Sequence, residues 1–303
     1  MSARATGHSA GLVQVPAPGP GIAPFENRPR QWLARAAAKL GAFGSNRGER
    51  HLAFQANGKT IVYAYIRKNA CSAFKAMICA ESPHRARLKE FADPMKFLGT
   101  FHAVRTAKQM PVADHVIFVY RDPIERTVSL FRNKFIVRVN NADTVNHYFE
   151  VTGQKPGDAT FRDFVTRYLA GDLSQRDPHC RPQYRHLFPV RYSEAIPMEL
   201  LWSSMRAIVG PELCDRYFKV RVNATDGVET SEPAMDVTAD ALQLRYAQDG
   251  TLPRLSAFLD EELRGRLNQI YAEDVAMIGR LQGSAIPPRD ENMGMESRRD
   301  ARE

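Results

Sequence analysis

A short polar loop between an apolar run and a helical pattern carries residue types that bind anions. The run is Thr60–Ile66, in which six of seven residues are β-branched or aromatic, as is typical of a buried strand. Arg67-Lys68-Asn69 interrupts it, and apolar residues recur at helical spacing from Ala70 onward. Lys68 and Ser72 therefore stand at a predicted helix start, where the helix dipole and unpaired N–H groups favour negative charge. This segment predicts a phosphate or sulfate site.

The tripeptide Gly58-Lys59-Thr60 raises the alternative of an ATP-binding P-loop. That pattern needs a glycine at the position of Ala53, and it needs a strand before the glycines, whereas the predicted strand follows them. We therefore interpret residues 58–60 as a turn that enters the strand. An ATP-dependent phosphotransferase is disfavoured for the same reasons, and no spaced His, Asp and Glu cluster predicts a metal site.

A second apolar run, His115–Tyr120, leads directly into Arg121-Asp122-Pro123 and then into a helical pattern from Ile124 to about Val137. Two strands that each feed a polar loop and a helix predict an α/β fold with a parallel sheet. Ligands of such sheets bind at the carboxyl ends of the strands, so both loops are expected to open onto one crevice. Further predicted strands are His186–Tyr192 and Tyr217–Val222, and further predicted helices are Thr160–Leu169, Met198–Ile208 and Asp260–Leu281.

The ends of the chain differ in composition from its middle. Residues 1–30 are rich in proline, glycine and alanine and predict a flexible tail, residues 31–283 a single domain, and residues 284–303 a charged, disordered tail. Residues 31–43 form a short basic amphipathic pattern, for which packing on the domain and peripheral contact with a membrane surface both stay open. No run reaches the length of a membrane span.

The formal net charge of +8 favours anionic partners such as nucleotides or acidic glycans. No nucleic-acid partner is predicted, because the basic residues are scattered without a long Lys/Arg tract. The four cysteines, Cys71, Cys79, Cys180 and Cys214, show neither a CxxC pair nor zinc spacing, which is typical of reduced thiols in a cytosolic protein.

Together the two loops resemble those of the sulfotransferase superfamily, specifically the carbohydrate sulfotransferases related to the chondroitin and dermatan enzymes (sulfotransferase family 2). Arg67–Ser72, with Lys75, is similar to that family's Pro-Lys-x-Ala-Cys-(Ser/Thr) loop. Phe118–Phe135 (FVYRDPIERTVSLFRNKF) is similar to its second nucleotide-binding loop and the helix that follows. Both segments occur in the expected order, each after a predicted strand, and the resemblance extends over roughly residues 58–280.

The resemblance implies a three-layer α/β/α fold with a central parallel sheet, like that of the P-loop NTPases, and 3′-phosphoadenosine 5′-phosphosulfate (PAPS) as co-substrate. It implies that Arg121 and Ser129 bind the 3′-phosphate. It also implies a 5′-phosphosulfate loop composed of Arg67, Lys68, Asn69, Ala70, Cys71 and Ser72.

The chemistry of sulfuryl transfer fits these residue types. Negative charge builds on the oxygen that leaves with the phosphate, and Lys68 is the candidate cation that stabilises it there. Arg121 can donate two hydrogen bonds to one phosphate. The alternatives are a solvated loop lysine for Lys68, an ion pair with Asp122 or Glu125 for Arg121, and an exposed helix position for Ser129.

The acceptor hydroxyl needs a base, and histidine titrates in the suitable range. His179, in the proline-bounded segment DPHCRPQ, falls where the resemblance places a histidine; His102, His147 and Glu194 are competitors. The chain departs from the family at Arg67, where proline is usual, and at Cys180, where tryptophan is usual. Residues 187–190 (LFPV) replace a Cys-x-Pro-Cys pair found in secretory members, which predicts a cytoplasmic enzyme.

The sequence as a whole predicts a PAPS-dependent sulfotransferase that acts on a carbohydrate or other hydroxyl acceptor without a metal. The alternative from another class is a non-catalytic module that binds a nucleotide or a polyanion. Acceptor identity would be set by loops at residues 140–159 and 171–185, and the sequence leaves that identity and the oligomeric state open.

Overall fold

The computed structural model of the chain describes residues 50–219 and 227–283. The predicted tails at residues 1–30 and 284–303 and the predicted helix at residues 31–43 lie outside the described residues, as do residues 220–222 of one predicted strand.

The core of the fold is a five-stranded sheet with the strand order β3-β1-β2-β4-β5. The strands β2, β4 and β5 run parallel, whereas β1 is antiparallel to both of its neighbours. The predicted α/β class is therefore confirmed, with a sheet that is mostly rather than wholly parallel. The strands are β1 His51–Ala56, β2 Lys59–Ala64, β3 Ala103–Val104, β4 His115–Tyr120 and β5 Glu194–Pro197.

A tight hairpin joins β1 to β2 and explains the tripeptide at residues 58–60. Asn57 and Gly58 have φ of 51° and 68°, the left-handed pair that a two-residue hairpin turn requires. Ala56 then pairs with Lys59 at the first rung of the ladder. The predicted turn into the strand is confirmed, and a strand, β1, precedes it that the sequence analysis did not identify.

Helices cover both faces of the sheet because the side chains of each strand alternate between two apolar layers. Ile61, Tyr63 and Ile117 pack against helices on one face, while Ala64 and Phe118 pack on the other face with Met277. This is the predicted three-layer arrangement. The first face is covered by α1 Cys71–Glu81, α2 Pro94–Phe101, α6 Leu201–Val209 and α7 Pro211–Tyr217.

A separate helical cluster holds a second apolar core around Phe131, Phe164 and Phe258. Two of its helices end in π-helical turns, Arg132–Ile136 and Phe164–Tyr168, a form that is frequent at functional sites. The helices of this region are α3 Pro123–Phe131, α4 Ala142–Thr152, α5 Phe161–Asp163, α8 Ala239–Asp249 and α9 Glu261–Ile270; the chain then continues into α10 Ala272–Gly283. Beside them, Val228–Thr230 (β6) and Thr251–Pro253 (β7) form a two-stranded parallel sheet.

Three predicted elements were wrong. Residues 186–192 form no strand; Phe188 and Tyr192 are buried by packing and the strand begins later, at Glu194. Tyr217 is the last residue of helix α7, and residues 218–219 form a turn rather than a strand. The single helix predicted at residues 260–281 is two helices that meet at Tyr271, whose hydroxyl donates to the Cys180 carbonyl at 2.8 Å.

Candidate active site

The loop between β2 and α1 has an unusual backbone. Lys68 and Ala70 both adopt left-handed φ, 69° and 56°, which costs a residue other than glycine about 1–3 kcal/mol. Ala70 occupies the N-cap of α1, and no side chain caps the helix there. The first N–H groups of α1 therefore point into the loop, where they and the helix dipole favour an anion.

Lys68 is mostly buried in this loop and is surrounded by positive charge. Burial lowers the pKa of its ammonium to about 8, and the nearby Lys134, Arg121 and Arg126 lower it as well, against the opposing effect of Cys71. Among residues 50–219 and 227–283, no carboxylate forms an ion pair with Lys68. A fold that holds a lysine in this way is electrostatically prepared for a negatively charged ligand.

The second loop joins β4 to α3 at the same edge of the sheet, because β2 and β4 are adjacent and parallel. Asp122 caps α3 by accepting from the N–H groups of Ile124 and Glu125, both at 2.9 Å. The Arg121 guanidinium is partly buried and donates to Glu125 at 3.3 Å. Ser129, partly exposed, lies one helical turn beyond Glu125 on the same face of α3.

Arg126 connects the first loop to a third one, and the sequence analysis did not single it out. Its side chain is 1% exposed, with Nε donating to the Arg67 carbonyl at 3.0 Å and Nη1 to the Arg181 carbonyl at 2.9 Å. Its Nη2 has no hydrogen-bond partner in the described part of the chain. Arg126 therefore adds a buried positive charge near Lys68.

The third loop carries His179, held by a buried carboxylate. Asp177 accepts from both the backbone N–H and the ring Nδ1 of His179, at 2.7 and 2.6 Å. Thr144 of α4 donates to the other oxygen of Asp177 at 3.3 Å. Since Nδ1 carries the proton in this arrangement, Nε2 is the nitrogen that can accept one.

Electrostatics keep His179 neutral. Burial lowers its pKa to about 4, outweighing the opposing effect of Asp177, and Arg67 and Lys134 lower it further. Burial alone would raise the pKa of Asp177, but the hydrogen bonds and charge of His179 lower it to about 2. Arg126 binds the carbonyls of Arg67 and Arg181, so the loop with Lys68 and the loop with His179 lie side by side.

The competing candidates for the base have other partners or lie at another edge of the sheet. His102 donates from Nδ1 to the Ala53 carbonyl at 2.8 Å, so its Nε2 accepts from the Ser82 hydroxyl at 2.9 Å. His147 has a ring nitrogen 2.7 Å from the Tyr168 hydroxyl. Glu194 begins β5 and therefore lies at the amino edge of the sheet, opposite the loops.

The remaining residues of the predicted first loop have different surroundings. The Arg67 guanidinium lies over the Tyr65 ring, 5.7 Å from its centroid. Asn69 is fully buried and its side chain points into the protein, where it donates to the Val119 carbonyl at 2.8 Å. Cys71 and Ser72, both partly exposed, begin α1.

Lys134 is a further cation at this edge that the sequence analysis did not assign. It lies in the π-helical turn after α3, and its ammonium donates to the carbonyls of Val139 and Asn140 at 3.0 and 2.6 Å. Burial lowers its pKa. No helix of the described residues is long and apolar enough to cross a bilayer, and those residues contain no group of three or more His, Cys, Asp or Glu that could hold a metal ion.

Comparison with known proteins gives one result. A model described as "Sulfotransferase family" matches residues 51–277, which include all three loops. No curated protein and no solved structure matches the chain.

Proposed function

Since the chain belongs to the sulfotransferase family, we propose that it transfers the sulfuryl group of PAPS to a hydroxyl group of a carbohydrate. Membership in the family supports a transferase that acts on a hydroxyl acceptor. The observation that carries the proposal is the pairing of two features on adjacent loops that Arg126 joins. One is a buried lysine beside an uncapped helix start, and the other is a neutral histidine fixed by a carboxylate.

The donor would lie across the first two loops. The left-handed backbone at Lys68 and Ala70 directs the N–H groups of Cys71 and Ser72 toward a 5′-phosphosulfate, with Arg67 and Asn69 in the same loop. Arg121 and Ser129 would hold the 3′-phosphate. The ion pair between Arg121 and Glu125 is partly exposed and weak enough for a phosphate to replace the carboxylate.

His179 would act as the base. Its Nε2 accepts the proton of the acceptor hydroxyl while the acceptor oxygen forms a bond to sulfur and the bond from sulfur to the phosphate oxygen breaks. Asp177 holds the ring and stabilises the imidazolium that forms. Lys68 stabilises the charge that develops on the departing phosphate oxygen, and 3′,5′-bisphosphoadenosine is released.

Nucleotide binding and turnover test separate parts of this proposal. 3′,5′-Bisphosphoadenosine should stabilise the protein against heat by about 2.7 kcal/mol at ~100 times its dissociation constant, and AMP or ATP at the same concentration should stabilise it less. Transfer of ³⁵S from labelled PAPS to a panel of neutral and acidic glycans then identifies the acceptor. Equal thermal shifts with the three nucleotides would refute the donor assignment.

A non-catalytic nucleotide-binding module predicts a different pattern. It would bind the bisphosphate selectively but would transfer no label to any acceptor in the panel. It would also not hydrolyse PAPS, even slowly. Label in a non-carbohydrate hydroxyl compound would retain the sulfotransferase assignment and overturn the carbohydrate acceptor.

A further inference from the structure

The side-chain amide of Gln183 lies at the point where the three loops meet. The residue is fully buried. Its Oε1 accepts from Asn69 Nδ2 at 2.6 Å and from the backbone N–H of Arg121 at 3.0 Å. Its Nε2 donates to the Arg121 carbonyl at 2.8 Å and lies 3.4 Å from Asp274 Oδ2. All four hydrogen-bonding positions of the amide are thus in use.

These four bonds join segments that are distant in sequence. Asn69 belongs to the loop after β2, Arg121 to the loop after β4, and Asp274 to α10. The loops of Asn69 and Arg121 both bind this amide. A displacement of one loop that moved the amide would therefore also break the bonds between the amide and the other loop. Gln183 also lies four residues after His179, and the histidine loop is therefore attached to the same point.

Asp274 binds the backbone of the loop that carries Gln183. Its carboxylate is fully buried and accepts from the backbone N–H groups of Gln183 and Tyr184, at 2.8 and 3.0 Å. The charged group near this carboxylate is Arg126, which itself holds the carbonyls of Arg67 and Arg181. The carboxylate thus holds the third loop at Gln183 and Tyr184, and the guanidinium joins that loop, at Arg181, to the first loop at Arg67.

We propose that Gln183 is a positioning residue that holds the Asn69 and Arg121 loops in one arrangement and sets their distance from His179. This inference rests on the proposed function, because it assigns the donor to the first two loops and the base to the third. Two loops that each bind one end of a nucleotide bind it best when their separation is fixed beforehand. The position of the base relative to the donor would be fixed by the same amide.

The test uses two substitutions of Gln183 and one control. Gln183→Leu removes all four bonds. Gln183→Glu keeps the acceptor oxygen but loses both donors while the introduced carboxyl is ionised, and regains one donor when it is protonated. Ser82→Ala is the control, because it removes a buried hydrogen bond at the far end of α1, about 16 Å along that helix from the loop.

Amide hydrogen exchange reports the junction without any ligand. The Arg121 N–H donates directly to Gln183, so Gln183→Leu should accelerate its exchange and that of residues 67–70, whereas Ser82→Ala should not. Gln183→Glu keeps this acceptor but, while ionised, places a second carboxylate oxygen against the Arg121 carbonyl and Asp274, and this repulsion should accelerate the same exchange. Unchanged exchange in a folded Gln183→Glu protein would overturn the proposal. This measurement stands even if the protein binds a different nucleotide or none.

Binding and turnover then connect the junction to function. Both variants should weaken 3′,5′-bisphosphoadenosine by about tenfold or more, the effect of one or two lost hydrogen bonds, and should lower transfer further than binding. Burial and Asp274 favour the protonated form of the introduced carboxyl, while Arg121 and Arg126 oppose this, so the affinity of Gln183→Glu relative to wild type should recover as the pH is lowered and burial dominates.

The outcomes separate the two proposals. Wild-type protein that fails to bind the bisphosphate refutes the proposed function, while the exchange experiment still decides the junction. Wild-type binding with an unaffected Gln183→Glu protein refutes the junction alone. If Gln183→Leu does not fold, Gln183→Glu carries the test. A Gln183→Glu protein that loses only stability, as Ser82→Ala should, would reduce Gln183 to a structural role.

Discussion

Lys68→Met removes a charge that the fold holds at an energetic cost, and we expect the variant to be more stable and less active than wild type. Methionine keeps an unbranched apolar side chain of similar length, so the change isolates the ammonium. The lowering of the Lys68 pKa from 10.5 to about 8 means that the folded state disfavours the charged form. The cause is burial, reinforced by Lys134, Arg121 and Arg126.

The pKa sets the size and the pH range of the effect. The shift corresponds to up to about 3 kcal/mol, present in full below pH 8, where the lysine is protonated in both the folded and unfolded states. The penalty fades as pH rises through 8, because the folded state then releases its proton. The stability gained by Lys68→Met should therefore be greatest near neutral pH and fall below about 1 kcal/mol near pH 10.

Urea denaturation at several pH values measures this gain, and initial rates with labelled PAPS measure the loss of activity. We expect turnover to fall by ~10²–10³, the usual effect of removing one electrostatic contact to developing charge. Binding of the bisphosphate product should weaken far less. Lys89→Met, which neutralises an exposed lysine, should change stability by less than about 0.5 kcal/mol.

Two results would refute this reasoning. A Lys68→Met protein that is less stable than wild type at neutral pH would mean that the ammonium is held by favourable contacts. A variant with near-normal turnover and weaker nucleotide binding would make Lys68 an anchor for the phosphate alone.

Four further predictions concern the charged and titratable groups of the loops. Arg121→Ala should remove most of the preference for 3′,5′-bisphosphoadenosine over AMP, worth ~1.5–3 kcal/mol, and calorimetry with both nucleotides would contradict this if the preference persisted. His179→Ala should lower transfer by at least ~10² while bisphosphate affinity stays within about a factor of two; a variant that keeps more than about a tenth of the rate excludes His179 as the base. The reaction needs His179 neutral and Lys68 charged, and their pKa values are about 4 and about 8. The value of kcat/KM should therefore rise with pH through about 4, stay level, and fall through about 8. Asp177→Asn should reduce turnover by up to about 10⁴ with little change in donor KM, and a loss confined to KM would assign Asp177 to binding.

Local patterns in the sequence were sufficient for the parts of the fold that position the loops. The strands at residues 59–64 and 115–120 contain the apolar runs Ile61–Ala64 and Val116–Tyr120, which are typical of a sheet covered on both faces. The turn at Asn57-Gly58 has the dipeptide that a two-residue hairpin favours, and it could also have revealed β1. Asp122 at the N-cap and Pro123 at the next position predict the start of helix α3.

Elements whose burial comes from distant packing were misjudged. Residues 186–192 have the composition of a strand, but His51 stacks on Phe188 and accepts or donates a hydrogen bond with the Tyr192 hydroxyl at 2.7 Å. Contacts with His51, 141 residues from Tyr192, thus bury these residues without a partner strand. The break at Tyr271 has the same origin, because its hydroxyl is bound to the Cys180 carbonyl, 91 residues away.

The sequence by itself determined the loops, the charged residues they carry and the order of strand, loop and helix, since these depend on neighbours within about one turn or one strand. Only the tertiary structure decided how those residues act on one another. The neutral His179, the lowered pKa of Lys68 and the junction at Gln183 all depend on burial and on groups brought from other segments. Low local polarity strengthens such interactions, and only the completed fold creates it.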